Sequence, residues 1–337
     1  MKVTVVVCNY NGEEHLPVCL ASLARMRGEV LETIVVDNAS TDGSRELIER
    51  EFPHVRLLDL ATNKGPSAAR NAGMRAATTP LVLAVDNDAV VGEDTLEKLL
   101  AAHEATGAAL VQPRSVLDSE PERVHYDGGD LHYAGLIALR NFYRPLALAE
   151  GEGVVEVGCA IALCLLVDRV RILELGGYDE RFFILFEDSD LSYRLRSEGG
   201  RIVSVEDALV RHRAGTEGIS FREGPSYPSQ RVFLHARNRW VFLVKNHSAS
   251  TLLVSLPGLV LYELLALAFA CASGHPIAWL RGKWAALRML PGLREDRRRI
   301  QRARTVEDRE LLCAGPLTVT PAVAASPIRA RLLGLVD

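Results

Sequence analysis

The first 111 residues constrain the chain most, because short β-branched apolar runs alternate there with segments of helical spacing. The runs occupy residues 3–8, 31–36, 55–60, 81–85 and 108–111. Between them, residues 13–26, 44–51, 67–77 and 94–106 carry apolar side chains at helical intervals after Asn, Asp, Ser or Gly starts. Strands covered on both faces read as continuous apolar runs, so this text predicts an α/β fold with a mainly parallel central sheet. Ligands of such sheets bind at the carboxyl ends of the strands, and three of those ends carry Asn9 with Tyr10, Asp37 with Asn38, and Asp86 with Asp88. No GxGxxG follows the first run, where Gly12 stands alone, which disfavours a dinucleotide-binding Rossmann enzyme.

Residues 113–153, rich in Gly, His, Tyr and Pro, read as an irregular or hairpin segment able to fold over a site. Regular text returns with a strand over 155–167, helices over 168–175 and 188–197, and a strand over 202–210. A Gly/Ser/Pro-containing stretch then runs to residue 229, and helical text follows from residue 230. Residues 252–272 hold a single charge, Glu263, and are long enough to cross ~30 Å of hydrocarbon. Residues 281–304 hold nine basic and two acidic side chains, a pairing that suits an anionic membrane surface. A buried core helix or a dimer contact is the alternative for 252–272, and a solvated helix face for the basic run.

Charge excludes one class of partner. With 39 basic and 43 acidic side chains the net charge is −4, too balanced for a general nucleic-acid binder. The six cysteines contain no CxxC pair, so zinc-ribbon and thioredoxin-like readings fall and reduced, cytoplasmic thiols are expected. The N-terminal residues lack the features of a secretory signal, which places the expected location on the cytoplasmic side.

Several constellations carry chemistry. Asp86-Asn87-Asp88 follows the run LVLAV, and hard oxygen ligands at that spacing suit Mg²⁺ or Mn²⁺ against a diphosphate, though a turn or a helix cap looks alike. The acidic group Glu187-Asp188-Ser189-Asp190 opens a helix, where the dipole alone favours it. The apolar residues 182–186 before it form a wall able to keep water from a carboxylate acting as general base. His212 ends a strand and offers an imidazole nitrogen to a carboxylate-bound metal, or serves structure alone. The loop from Asn63 into the helix bearing Arg70 offers free N–H groups and a guanidinium to a phosphate or a base. Arg237, within Arg237-Asn238-Arg239-Trp240, would clamp a leaving diphosphate or form surface salt bridges.

In this order the motifs VVVCNYNG, IVVDNASTDGS, NKGPSAARNAG, LVLAVDNDAVV, GGYDERFFILFEDSDLSYRLRSEGG and ALVRHRAG resemble the bacterial family 2 glycosyltransferases of GT-A fold, particularly rhamnosyltransferase-like members. The match covers most of residues 1–216, and the tail resembles the variable membrane-proximal helices of that family less specifically. The resemblance implies that Asp37, with the backbone near Cys8 and Tyr10, holds the nucleotide base, with Arg70 close by. It implies that Asp86 and Asp88 meet the ribose and a divalent metal, Mn²⁺ or Mg²⁺, and that His212 completes the metal site. Asp188 would be the catalytic base of an inverting transfer. Asn63, Asn87 and Arg237 join the expected nucleotide-sugar-binding set. Leu185-Phe186 stands where many relatives carry an aromatic residue with a hydroxyl group. Ala236 fills the glutamine position of the QxxRW motif of processive members, so a single-addition enzyme is expected.

The expected organisation is a catalytic domain over 1–225, with a nucleotide-binding half to about residue 112 and an acceptor half beyond, then a helical membrane-proximal region over 226–337. The expected donor is deoxythymidine-diphosphate-rhamnose or a uridine-diphosphate sugar. The expected acceptor is a glycan or a polyprenyl-linked sugar at the inner face of the cell membrane, and a homo-oligomer is compatible with the tail. A competing class is a nucleotide-sugar-binding pseudoenzyme or assembly protein at the membrane, against which the retention of Asp86, Asp88, Asp188 and His212 argues. A sugar-phosphate nucleotidyltransferase would carry a Gly-rich basic loop after the first strand, which CNYNGEEH is not.

Overall fold

The computed structural model describes residues 1–213 and 227–314. Expectations for residues 214–226 and 315–337, which include the end of ALVRHRAG and most of the Gly/Ser/Pro stretch, lie outside the described residues. The chain divides into two compact units, one of Met1–Gly129 with Leu139–Ala214 and one of Asp130–Ala138 with Gly215–Asp337.

In the first unit the strands are β1 (Val3–Asn9), β2 (Val30–Asp37), β3 (Arg56–Asp59), β4 (Leu81–Asp86), β5 (Ala89–Val91), β6 (Leu110–Leu117) and β7 (Val124–Tyr126). Past β8 (Gly129–His132) and β9 (Leu136–Leu139), which fall in the second unit but for Gly129 and Leu139, come β10 (Val154–Glu156), β11 (Cys164–Asp168) and β12 (Ile202–His212). The helices are α1 (Leu16–Ala24), α2 (Ser44–Glu51), α3 (Pro66–Ala76), α4 (Thr95–Thr106), α5 (Arg169–Glu174) and α6 (Glu187–Ser197). The main sheet has the order β10-β12-β6-β11-β4-β1-β2-β3, with β5 and β7 attached to β12 and β6. Strands β1 to β4 run parallel, whereas β11 is antiparallel to both of its neighbours, β4 and β6.

Both faces of the sheet are covered. Along β1, Val3, Val5 and Val7 join one apolar cluster with Leu16, Leu20, Leu47, Ile48, Leu96 and Leu99 of α1, α2 and α4. The alternate residues Val6 and Cys8 join a second cluster with Ala69, Met74, Ile172 and Leu191 of α3, α5 and α6. Every residue of β1 is buried, the physical reason for its unbroken apolar text. Parallel register then aligns the polar ends, Asn9 opposite Asp37 and Cys8 opposite Asp86.

Two expectations are corrected. The single strand over 155–167 is two strands on different partners, β10 on β12 and β11 on β4 and β6. Between them the backbone N–H groups of Ile161 and Ala162 bond to the side chains of Gln112 and Asp188 instead of a neighbouring strand. The strand expected over 108–111 extends through β6 to Leu117, with buried Gln112, Arg114 and Ser115 beyond the apolar run. Asp127 and Glu206 both pair with Arg114, so its buried charge is met.

The second unit contains the long helices α7 (Ser229–Asn246), α8 (Ala249–Ala272) and α9 (Pro276–Ala303), the short α10 (Asp308–Leu311), and β13 (Leu312–Cys313), which pairs parallel with β8. Ser248 caps α8, its side chain accepting from the Thr251 N–H, and Asp308 accepts the Ser248 N–H.

Candidate active site

The carboxyl ends of β4, β1 and β2 are tied by side-chain amides. Asn87 Nδ2 donates to Asn9 Oδ1 at 2.8 Å, and Asn9 Nδ2 donates to Asp37 Oδ1 at 2.8 Å. Gly12 has no side chain because there is no room for one: a Cβ there would lie 2.1 Å from Asn87 Nδ2 and 2.2 Å from Asn9 Oδ1. Asp37 is fully buried and also accepts from the Ser40 N–H, the Ser40 hydroxyl and Arg45 Nε. Burial pushes its carboxyl up, and the Ser40, Arg45 and Asn9 bonds outweigh this and leave it below the usual range. Its acceptor capacity is thus filled by the protein, and a base taken directly by Asp37 must displace one of these donors. Tyr10 is exposed beside it, and Asn63 Oδ1 accepts from Asn38 Nδ2 and the Gly65 N–H at the entrance to α3. Burial drives the Cys8 thiol up to about 12, so it stays a neutral packing group.

Arg70 on α3 is the buried cation of the centre. Its Nη2 donates to Asp86 Oδ1 at 2.7 Å and to the Ala162 carbonyl at 2.6 Å, and its guanidinium lies 5.6 Å from the Tyr178 ring centroid. The Ala162 N–H in turn donates to Asp188 Oδ2 at 3.2 Å. One peptide segment before β11 therefore holds the cation with its carbonyl and the expected base with its N–H. Asp188 is half-buried while Glu187 beside it is buried, so of the two carboxylates Asp188 is the one a substrate can reach. Burial raises both, with Arg70 pulling each back; Glu187 stands at about 8. Arg70 Nε and Nη1, Glu187 Oε2 and the Tyr178 hydroxyl have no hydrogen-bond partner among the described residues. Polar atoms buried without partners are scarce in folded proteins, and here they gather around one guanidinium, with Glu187 Oε1 3.9 Å from Arg70 Nη1 and the Tyr178 ring beside it.

The turn that delivers α6 is strained. Phe183, Leu185 and Phe186 all have positive φ, 66°, 70° and 74°, a region bulky residues seldom occupy. Phe183 is also pressed on Gly65, where a Cβ would lie 2.4 Å from its carbonyl oxygen. The apolar run at 182–186 is therefore a constrained bend that aims the start of α6, with Phe182 buried beneath it.

The three expected metal ligands do not converge. Asp86 is taken by Arg70, whereas Asp88 Oδ2 lies 3.0 Å from His212 Nε2. Two ligands at ~2.1 Å and right angles are about 3.0 Å apart, so Asp88 and His212 fit one edge of an octahedral Mg²⁺ or Mn²⁺ site. Among the described residues no group of three or more His, Cys, Asp or Glu side chains is placed to hold a metal, so the remaining positions would fall to diphosphate oxygens and water. Burial pushes Asp88 up, and the hydrogen bond and charge of His212 more than reverse this. His212 Nδ1 lies 2.9 Å from Nδ1 of His125, which packs on Tyr126 and Phe142 and fixes the His212 ring.

The sequence reasoning missed Asn9 as a linker, Ala162, Glu187, Tyr178 and His125. Only Gly12 and the Glu-Asp pair left a readable trace. Arg237 lies on α7 in the second unit, where its Nε donates to Asn238 Oδ1 and its guanidinium lies over the Phe233 ring.

Comparison with known proteins identifies the family and the fold. The family model described as glycosyl transferase family 2 matches residues 4–164. An N-acetylglucosaminyl-diphospho-decaprenol L-rhamnosyltransferase of Mycobacterium tuberculosis is 30% identical over 268 residues, 72% of this chain and 84% of the relative. A low-salt glycan biosynthesis hexosyltransferase of Haloferax volcanii is 25% identical over 72% of this chain and 75% of its own. In fold, the crystal structure of GalNAc-T7 with UDP, GalNAc and Mn²⁺ superposes with a TM-score of 0.54 at 16% identity, covering 73% of this chain and 50% of that one. By its architecture and its relatives, this chain is a glycosyltransferase of GT-A fold and belongs to family 2, similar to the rhamnosyltransferases.

Proposed function

We propose that the chain moves one sugar, with inversion, from a nucleoside-diphosphate sugar to a hydroxyl of a glycan or polyprenyl-linked acceptor at the inner face of the cell membrane. The observation that carries this reading is the Ala162 segment, which sets the reachable carboxylate Asp188 beside the ion pair of buried Arg70 with half-buried Asp86 at the strand ends. The named activity of the mycobacterial relative favours a rhamnosyl donor, for which deoxythymidine-diphosphate-rhamnose is the first choice and a uridine-diphosphate sugar the second, and a polyprenyl-diphosphate-linked sugar as acceptor.

Asp88 and His212 would hold the divalent ion, which supplies charge neutralisation to the diphosphate as it departs. Asp188 accepts the proton of the acceptor hydroxyl while that oxygen attacks the anomeric carbon from the face opposite the diphosphate. The glycosidic bond forms, the sugar–phosphate bond breaks, and the nucleoside diphosphate leaves with the electron pair. Burial raises the Asp188 carboxyl, which strengthens it as a base, and the Ala162 N–H keeps its Oδ2 in place. The Asn87–Asn9–Asp37 chain holds the three strand ends rigid around the donor.

Asp188→Asn should remove turnover, about 10²-fold or more, while leaving donor affinity within a few-fold. The check is single-turnover transfer beside calorimetric donor binding. Transfer at the normal rate by Asp188→Asn refutes the base assignment, and no binding of any nucleoside-diphosphate sugar, with or without Mn²⁺, refutes the transferase reading.

A further inference from the structure

Helix α8 is apolar, long and uncovered. Its 24 residues span ~36 Å, enough for a bilayer core of ~30 Å, and none of its most apolar stretch is buried inside the protein. Leu253, Val254, Val260, Leu261, Leu264 and Leu265 stand on one face, with Leu253 at 72% and Val254 at 80% exposure. The only charge, Glu263, points the other way. It accepts from Arg239 Nη1 and Trp240 Nε1 of α7, each at 2.6 Å, and Lys283 Nζ of α9 lies 2.6 Å from its second oxygen. The helix is thus bound along its middle to two neighbours.

Helix α9 continues the surface. Ile277, Leu280, Trp284 and Leu287, at intervals of three and four, are exposed on one face. Farther along α9 come the exposed Arg294, Arg298, Arg299 and Arg302, with one exposed acid, Glu295, among them. Arg288 stacks on Trp284, its guanidinium 5.1 Å from the ring centroid, an amphipathic pair suited to the water–lipid boundary.

Spanning is incompatible with these bonds. If α8 crossed the bilayer, Glu263 near its midpoint would draw Arg239, Lys283 and their helices into hydrocarbon. A helix lying flat meets no such penalty, because its apolar face sinks into the acyl boundary while the bonded face stays with the protein.

We propose that α8 and the first half of α9 form a monotopic dock that lies along one leaflet of an anionic phospholipid membrane, with the arginine-rich half of α9 on the headgroups. The occupant is fixed by charge complementarity: α8 shows no acidic side chain on its free face, and exposed arginines outnumber the one exposed acid in the second half of α9. The inference deepens the membrane-acceptor reading above, but its test does not depend on catalysis.

Purified full-length protein should float with phosphatidylcholine vesicles containing phosphatidylglycerol and far less with phosphatidylcholine alone. Leu253→Asp with Leu264→Asp should weaken flotation about tenfold or more, and Arg298→Glu with Arg299→Glu should abolish the anionic preference. All four positions are exposed, and unchanged urea unfolding verifies the fold. A bimane probe placed in turn at Leu253→Cys, Leu261→Cys and the native Cys271, the first two in a Cys271→Ser background, reports depth against nitroxide-labelled phospholipids. Equal, shallow quenching at the three positions is expected of a helix lying flat. Deep quenching at 261 with shallow ends would mean a span and overturn the proposal, as would absence of flotation. A vesicle-free dimer that Leu253→Asp with Leu264→Asp dissociates, without vesicle binding by the parent, would overturn it in favour of a second copy. Donor binding without vesicles separates the two readings: its loss in the parent protein counts against the transferase reading and leaves the dock standing.

Discussion

Replacing Arg70 by methionine should cost this protein more stability at alkaline than at acid pH. The guanidinium is buried, 2.7 Å from Asp86 and 3.9 Å from Glu187, whose side chain is also almost wholly enclosed. Burial holds Asp86 up at about 6 and Glu187 at about 8, in each case with Arg70 opposing the rise. Removing the cation strands these charges, and breaking a buried pair from one side costs ~3–5 kcal/mol. Without Arg70 the folded-state carboxyls rise further above their unfolded values, so the folded variant binds more protons than the unfolded chain. Its stability therefore recovers as pH falls, beginning above about 8 as Glu187 takes its proton and again above about 6 with Asp86. The three tryptophans, at 240, 279 and 284, all lie in the second unit, so fluorescence would report the wrong region. Hydrogen exchange of the β1 and β4 amides in a urea series, at alkaline and at mildly acid pH, reads the right one. A deficit of ~3–5 kcal/mol that shrinks by at least half on acidification is expected. The same deficit at both pH values would show that Arg70 contributes only packing, and would sink the charge argument.

Further outcomes follow from the same geometry. Mn²⁺-dependent stabilisation by the donor's nucleoside diphosphate, ~2.7 kcal/mol at a hundredfold excess over Kd, should vanish in Asp88→Ala and in His212→Ala, as read by thermal shift. Gly12→Ala forces its new methyl into Asn87 and Asn9 and should cost ~1–3 kcal/mol and weaken donor binding, measured by urea unfolding and calorimetry. Burial holds His247 down at about 4, so the folded state stays neutral while the unfolded chain protonates below about 6.5. The stability it permits is complete above that pH and falls by ~2 kcal/mol between pH 6.5 and 5, a slope that tryptophan-monitored urea unfolding should find flattened in His247→Gln.

The strand ends were legible because two-sided burial writes a parallel strand as an apolar run, and its first polar residue marks where the run leaves the sheet. That rule found Asn9, Asp37 and Asp86 at once, and α6 followed from its acidic first turn. The error over 155–167 has the same origin. Apolar text marks burial but not the partner to which a backbone bonds, so two short strands separated by side-chain-bonded peptides read as one. Ala162 acts through its backbone, and no residue type announces that. His125 sits in irregular text and gains its role from a strand 87 positions away. Asp37 was visible, but the four donors that fill its oxygens come from three separate segments and could only be counted in space.

The reversed strand β11 also sets a timetable for the birth of the molecule. It sits between β4 and β6, both of which precede it in the chain by tens of residues, so the middle of the sheet stays open until residue 168 has been made. Until then a nascent chain carries two apolar strand edges that should be interior, the kind of edge that recruits chaperones or other chains. A fragment ending before β11 would meet the same fate, lacking a centre strand as well as Ala162. That half of the sheet is therefore not a separable module: the peptide that bonds Arg70 and the strand that closes the sheet arrive in the same short stretch of synthesis.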